Sequence, residues 1–259
     1  MKRICVIGNS HLAALKQAID TGAIDGVSDS YSFDTFGAVR ANLRDVEVVG
    51  TQVTAKRKLV RQSFLRTGGR KTIDLSHYNG VVLAYRNSPF FIRAYLGKSQ
   101  PAPISAAVIE AVIQGFFNDW SIKLAQHIAR AMGDRPVWFL GRPFNAEHDH
   151  HARVLLGAVR ACERTRERVV GISDQVTDML GDSDLEPNLK FHRPPPSVLE
   201  PLGLFSRSEF VRGGKELAAG IKSDRASAQV QGEDTIHMNA AYGAAVLADI
   251  LGSKEAAAV

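Results

Sequence analysis

Short apolar runs recur along the chain, each closed by glycine or proline, and between them lie stretches with apolar residues every three or four positions. Arg3 to Ile7, closed by Gly8, reads as a strand, and Ser10 to Ile19, with Leu12, Leu15 and Ile19 at helical spacing, as the helix after it. Tyr31 to Phe36, ended by Gly37, alternates weakly as a second strand. Val81 to Tyr85 and Val137 to Leu140 are dense apolar runs of the kind shown by strands covered on both faces, and Val169 to Ile172 is a weaker fifth candidate. Helical spacing covers Ile104 to Met132, with a break expected near Gly115, then Ala152 to Arg164 and Ala240 to Leu251. Buried strands alternating with helices predict a doubly wound α/β fold, a mostly parallel sheet with helices on both faces.

Two stretches depart from this rhythm. His192 to Pro201 contains three consecutive prolines and is expected to run as an extended surface connection, neither helical nor a central strand. Gly213 to Glu233 is polar and punctuated by glycine, and reads as a loose approach to the last helix. Trp120 and Trp138 are expected in or near the core, and His127 as a structural histidine on a helix. His77 and Tyr78 precede the third strand, so they fall at the edge of the sheet opposite the chemistry.

Composition narrows the class. At 259 residues, 45% hydrophobic and 23% charged, the chain falls in the ordinary globular range and is read as a single domain over residues 1–259. Mean hydropathy is -0.09 and charged residues interrupt every apolar run, so no membrane span is expected. The five apolar residues before Gly8 are too few for a secretory core. Two cysteines, Cys5 and Cys162, support neither a disulfide framework nor a cysteine metal site, so a reducing, cytoplasmic setting is expected.

The net charge of +5 is unevenly spread: no acidic residue lies between Val48 and Ile73, where Lys56, Arg57, Lys58, Arg61, Arg66, Arg70 and Lys71 all occur. A solvated face is the plain reading, and contact with an anionic substrate the functional one. Nucleic acid ranks last, because no zinc-finger, RNA-binding or helix-turn-helix pattern accompanies the charges.

In an open parallel sheet, ligands gather where strands end and helices begin. Gly8-Asn9-Ser10-His11 occupies that place after the first strand. Ser10 is either a helix cap or a nucleophile beside the partial positive charge of a helix start. A nucleophilic serine needs a base and a group that orients the base. His11 is adjacent on the helix and does not face Ser10, so a distant histidine is required. Asp234 and His237, three positions apart just before the last helix, can lie on one side of it, although Asp234 could equally be a cap. After the fourth strand, Arg142 and Asn145 either contact substrate or pair locally. Glu147-His148-Asp149-His150-His151 lacks the i, i+4 histidine pair of a helical zinc site, and no metal is expected there.

The two halves together, Gly-x-Ser-x after the first strand and Asp234-Thr235-Ile236-His237-Met238-Asn239-Ala240-Ala241-Tyr242-Gly243 before the last helix, resemble the SGNH (GDSL-type) hydrolase superfamily. The resemblance implies a flavodoxin-like, five-stranded sheet and carries the triad onto Ser10, His237 and Asp234. It also implies an oxyanion hole from Ser10, Gly37 after the second strand and Asn87 after the third. Departures are Asn9 and His11 where the family has Asp and Leu, and Tyr85 and Ser88 where its third block has Gly and Asp.

By that resemblance the chain is expected to be a serine esterase or deacetylase that cleaves an acyl ester on a carbohydrate or other polar scaffold without a cofactor. The basic segment and Arg86 suggest that the scaffold is anionic, and Asn9, His11, Arg86, Arg142 and Asn145 are candidate substrate contacts. Two rival expectations are an O-acyltransferase using the same triad and a non-catalytic module of the same fold that binds a polyanion. Oligomeric state is not legible from the sequence.

Overall fold

The computed structural model describes residues 1–24, 29–38, 40–85, 106–141, 143, 146–147, 153, 157, 163, 167, 184–201, 203, 205–211, 215–217, 227–229 and 237–252. The principal sheet has five parallel strands: β1 (Lys2–Gly8), β2 (Tyr31–Gly37), β6 (Gly80–Ala84), β7 (Val137–Leu140) and β8 (Leu189–His192), in spatial order β2-β1-β6-β7-β8. This is the doubly wound arrangement, with its switch point between β1 and β6.

Strand alternation sorts the core into two layers. Ile4, Val6, Val82, Ala84, Trp138 and Leu140 face helices α1 (Leu12–Asp20) and α5 (Ala240–Gly252). Cys5, Ile7, Val81, Leu83, Val137 and Phe139 face α2 (Lys58–Gly68) and α4 (Trp120–Met132). Every one of these residues is buried, which is why the strands read as continuous apolar runs. Trp138 is in the core, Trp120 packs its ring 5.7 Å from that of Tyr85, and His127 is exposed.

Several boundaries differ from the sequence expectation for identifiable reasons. The long helical stretch divides into α3 (Ala106–Phe117) and α4 at Asp119, past Gly115, because the Asp119 carboxylate accepts the Ser121 amide at 2.8 Å and starts a new helix. A second, three-stranded antiparallel sheet, β3 (Val46–Val49), β4 (Gln52–Ala55) and β5 (Ile73–Asp74), adds an element the strand count missed. Its two-residue turn at Gly50-Thr51, with Gly50 at φ +57°, between valine-rich arms was a legible hairpin signal.

The expectations for the carboxyl-terminal third need correction. His192 ends the fifth parallel strand, and the prolines after it do not make a simple surface link: Pro196–Val198 is a 3-10 turn, and Val198, Leu199 and Glu200 are buried. Proline is accepted at the first position of a helical turn because no amide hydrogen is needed there. Gly213 to Glu233 contains an antiparallel pair, β9 (Lys215–Leu217) with β10 (Ser227–Gln229). Val169 to Ile172 lies outside the described residues, whereas residues 153, 157 and 163 of the Ala152 to Arg164 stretch are helical.

Helices α1 and α5 cross with their backbones nearly touching at Gly243. A Cβ there would collide with the carbonyl oxygen of Ala14 and lie 2.6 Å from its carbonyl carbon and 2.9 Å from the Leu15 nitrogen. Gly243→Ala gains about 1 kcal/mol of helix propensity but forces the paired backbones apart, an overpacking cost of about 1–3 kcal/mol. The expected outcome is net destabilisation, read as a lower urea midpoint; a higher midpoint would show that the helices separate freely.

Candidate functional site

The chain between β1 and α1 is held as a tight turn. The Asn9 amide donates to the Ala84 carbonyl at 3.1 Å, and the Asn9 carbonyl accepts from Leu12 at 3.0 Å. The Asn9 side-chain Oδ1 accepts from the His11 amide at 3.0 Å, and Asn9 is buried. The side-chain bond that shapes this entrance is therefore made by Asn9. Among the described residues, Ser10 Oγ makes no hydrogen bond, so its hydroxyl does not cap α1, which begins at Leu12. Gly8 is constrained by close approach: a Cβ would lie 2.7 Å from the Ala84 carbonyl oxygen and 3.1 Å from Leu12 Cβ.

The far end of the chain arrives at the same place. Asn239 caps α5, its Oδ1 accepting from the Tyr242 amide at 3.1 Å, while its Nδ2 donates to the Glu209 carbonyl at 2.7 Å and its amide to the Phe210 carbonyl at 2.8 Å. Met238 is buried in the α1/α5 layer. These anchors bring His237 against the β1–α1 turn, where its ring stacks on that of His11 with centroids 5.9 Å apart and planes 26° apart. Asp234 lies outside the described residues, as do Arg86, Asn87, Arg142, Asn145 and residues 148–151. Glu147 is engaged locally: its Oε1 accepts from the Ser208 amide at 3.1 Å and from the Ser208 hydroxyl at 3.3 Å.

Gly37 pairs with Gly8 across β1 and β2, at the same edge. Its amide donates to Thr67 Oγ1 at 2.8 Å and its carbonyl accepts from Ser63 Oγ at 2.6 Å. An oxyanion could use the Gly37 amide only by displacing Thr67. Tyr85, directly after β6, turns away from this edge into the opposite layer, fully buried between Trp120 and Phe139. Burial pushes its phenol well above the usual range, so it stays neutral.

One functional candidate carries no sequence signature. His192, at the end of β8, shares with His11 a pocket that Ala84, Leu140, Tyr242 and Val246 also line. No motif surrounds it; its placement follows only from the pairing of Leu140 with His192. Its Nε2 lies 3.2 Å from Asp249 Oδ2, within ion-pair range. Burial lowers the imidazole pKa from 6.5, outweighing the opposing pull of Asp249, whose side chain is 49% exposed and screened by water.

His77 and Tyr78 do lie before β6, at the amino edge, where the Tyr78 hydroxyl donates to Asp34 at 2.7 Å and Asp34 also pairs with Arg3 at 2.8 Å. Of the basic segment, Lys56 pairs with Glu47 and Arg57 with Asp45, and Arg61 donates to the Ala55 and Lys56 carbonyls. Lys58, Arg66, Arg70 and Lys71 are exposed, with no ion pair among the described residues.

No family model matches the sequence, and no curated protein matches it. Among solved structures, the chain is similar to a lipase from a goat rumen metagenome, with 8% identity and a TM-score of 0.38 over 81% of this chain and 91% of that one. It is also similar to the periplasmic domain of a lipopolysaccharide acetyltransferase from Salmonella ser. Paratyphi A, with 11% identity and a TM-score of 0.39 over 97% and 82% of the two chains. Among the described residues, no helix is long and apolar enough to cross a membrane.

The groups that shape this edge can be tested through stability. Asn239→Ala removes the α5 cap and the tether to Glu209, and is expected to lower stability by about 1–2 kcal/mol in chemical denaturation; an unchanged midpoint would show that neither bond holds the segment. His192 has its folded pKa below 6.5, so the unfolded chain binds the proton more tightly and stability falls as pH drops below that value. His192→Gln should flatten this region of the profile in urea titrations at pH 7.5 and 5.5, and equal slopes would place the titrating group elsewhere.

Proposed function

We propose that the chain is a serine-dependent acyl-ester hydrolase of SGNH type, with Ser10 as nucleophile, His237 as base and Asp234 as the carboxylate that orients the base. The observation that carries this reading is the meeting of both chain ends at the switch point of the sheet. A serine whose hydroxyl is not spent on capping stands in the turn before α1, and the anchored histidine before α5 stacks on His11, the residue that follows this serine.

In the proposed step, His237 takes the Ser10 proton as Oγ attacks the ester carbonyl, and Asp234 stabilises the imidazolium that forms. The tetrahedral oxyanion is met by the Ser10 amide and the Asn87 side-chain amide, with Gly37 joining only if Thr67 releases it. The alcohol leaves with the proton held by His237, and water attacking the acyl-serine completes hydrolysis. His11 stacks on His237 and acts as a positioning residue for the base.

An anionic polar scaffold suits the alcohol side. The bonds of Ser63 to Gly37 and of Thr35 to Thr67 show that α2 runs antiparallel to β2. Lys58 therefore lies one helical turn and more, roughly 7 Å, beyond the carboxyl end of β2, on the edge that carries Ser10.

Ser10→Ala is expected to lower turnover of a chromogenic short-chain ester by roughly 10⁴ and to abolish labelling by a fluorophosphonate. Persistence of either in the variant would remove Ser10 from the mechanism. Product analysis with and without an acceptor alcohol separates hydrolysis from acyl transfer.

A further inference from the structure

Helix α2 is held on one side and bare on the other. Val60 and Phe64 are buried, and Gly68 lies so close to the Phe36 ring that a Cβ there would collide with it. The opposite side carries Lys58, Leu59, Leu65 and Arg66, all exposed, around the half-buried Gln62. At 3.6 residues per turn, Lys58 and Leu65 share one row along the helix and Leu59 and Arg66 the next, so each row presents one leucine and one cation. Leu59 is 50% and Leu65 39% exposed. Among the described residues, the exposed large apolar side chains are Met1, Val49, Leu59 and Leu65, and the last three fall in the Val48 to Ile73 segment that has no acidic residue. A scattered exposed leucine is ordinary, but here the leucines stand beside Lys58, Arg66, Arg70 and Lys71, exposed cations with no ion pair among the described residues. The nearby acids Asp45 and Glu47 are already paired with Arg57 and Lys56.

We propose that the outward side of α2 is a docking surface for a lipid bilayer bearing anionic headgroups. Two chemistries have to be met at once, and such a bilayer meets both: its phosphates attract the cations, and the acyl boundary beneath them receives the leucines. The long stems of Lys58 and Arg66 let their charged ends stay at headgroup level while Leu59 and Leu65 go deeper. A soluble polyanion would satisfy the charges alone and leave the leucines in water. Single-stranded nucleic acid would need aromatic rings to stack its bases, and the one aromatic residue from Val48 to Ile73 is Phe64, which is buried. Each Lys or Arg near an anionic surface is worth about fivefold in affinity, so the four cations together supply roughly 600-fold. The contact does not require Ser10 to be a nucleophile.

The test is cosedimentation of the full chain with vesicles of phosphatidylcholine alone and of phosphatidylcholine mixed equally with phosphatidylglycerol. Binding is expected to the mixed vesicles, weaker by about tenfold or more to the neutral ones, and weakened again when salt rises from about 0.1 M to about 0.5 M. Arg66→Gln combined with Arg70→Gln should weaken binding to the mixed vesicles about 25-fold. Leu59→Ser combined with Leu65→Ser should weaken it by about tenfold or more and leave retention on heparin, a soluble polyanion, unchanged. All four positions are exposed, so the urea midpoints should stay those of the parent. If the double leucine variant does not fold, Leu59→Ser alone should weaken binding by about threefold or more. No binding to either vesicle, equal binding to both, or binding to the mixed vesicles that the leucine substitutions leave unchanged overturns the docking surface. Heparin retention in any of these cases assigns the cations to a soluble polyanion instead.

Discussion

The near contact of two helix backbones, α1 and α5 at Gly243 and Ala14, is the constraint from which the arrangement of this protein follows. Helices usually pack 8–10 Å apart with side chains between them; here the small residues Ala14, Ala18 and Gly243 let the first and last helices of the chain come together directly. Because α1 follows β1 and α5 ends the fold, this packing joins the two extremities over the middle of the sheet. It also fixes the height of α5 against α1, and hence where the segment before α5 must enter.

That entry is secured by polar bonds as well as by packing. Asn239 spends its side chain and its amide on the α5 start and the 208–210 turn, and Met238 is buried next to it. With both residues so committed, His237 has little freedom in where it emerges, and it emerges on His11. The trailing Asn and Gly of the last motif thus have architectural duties, cap and helix crossing, that serve the histidine ahead of them. On the other side, Asn9 takes over the shaping of the β1–α1 turn and leaves the Ser10 hydroxyl uncommitted.

The carboxyl margin of the sheet is equally specified by residue size. Gly8, Ala84, Leu140 and His192 are paired in turn across β1, β6, β7 and β8, and the last three line one small pocket there. The cause is local chemistry at each strand end, but the effect is a cavity that no single strand contains. Tyr85 illustrates the complementary case: where a motif would place glycine, this chain places a large ring, and strand alternation sends it into the α2/α4 layer instead of the site.

Much of the architecture was legible because burial on both faces writes itself as uninterrupted apolar runs: β1, β2, β6 and β7 stand within a residue or two of where periodicity puts them. The tight turn after β1 and the start of the last helix were legible, since capping and tight turns demand particular residue types at particular spacings. Strand β8, the burial of Val198 and Leu199 after the prolines, the commitment of the Gly37 amide to Thr67, and the place of His192 were not. Each of these is decided by partners distant along the chain. Leu189-Lys190-Phe191-His192 is too short and too mixed to announce a strand and becomes one only because β7 offers an unpaired edge. Local sequence sets backbone preference and periodicity; pairing register and helix crossing, which exist only once the chain is folded, determine which side chains share a cavity.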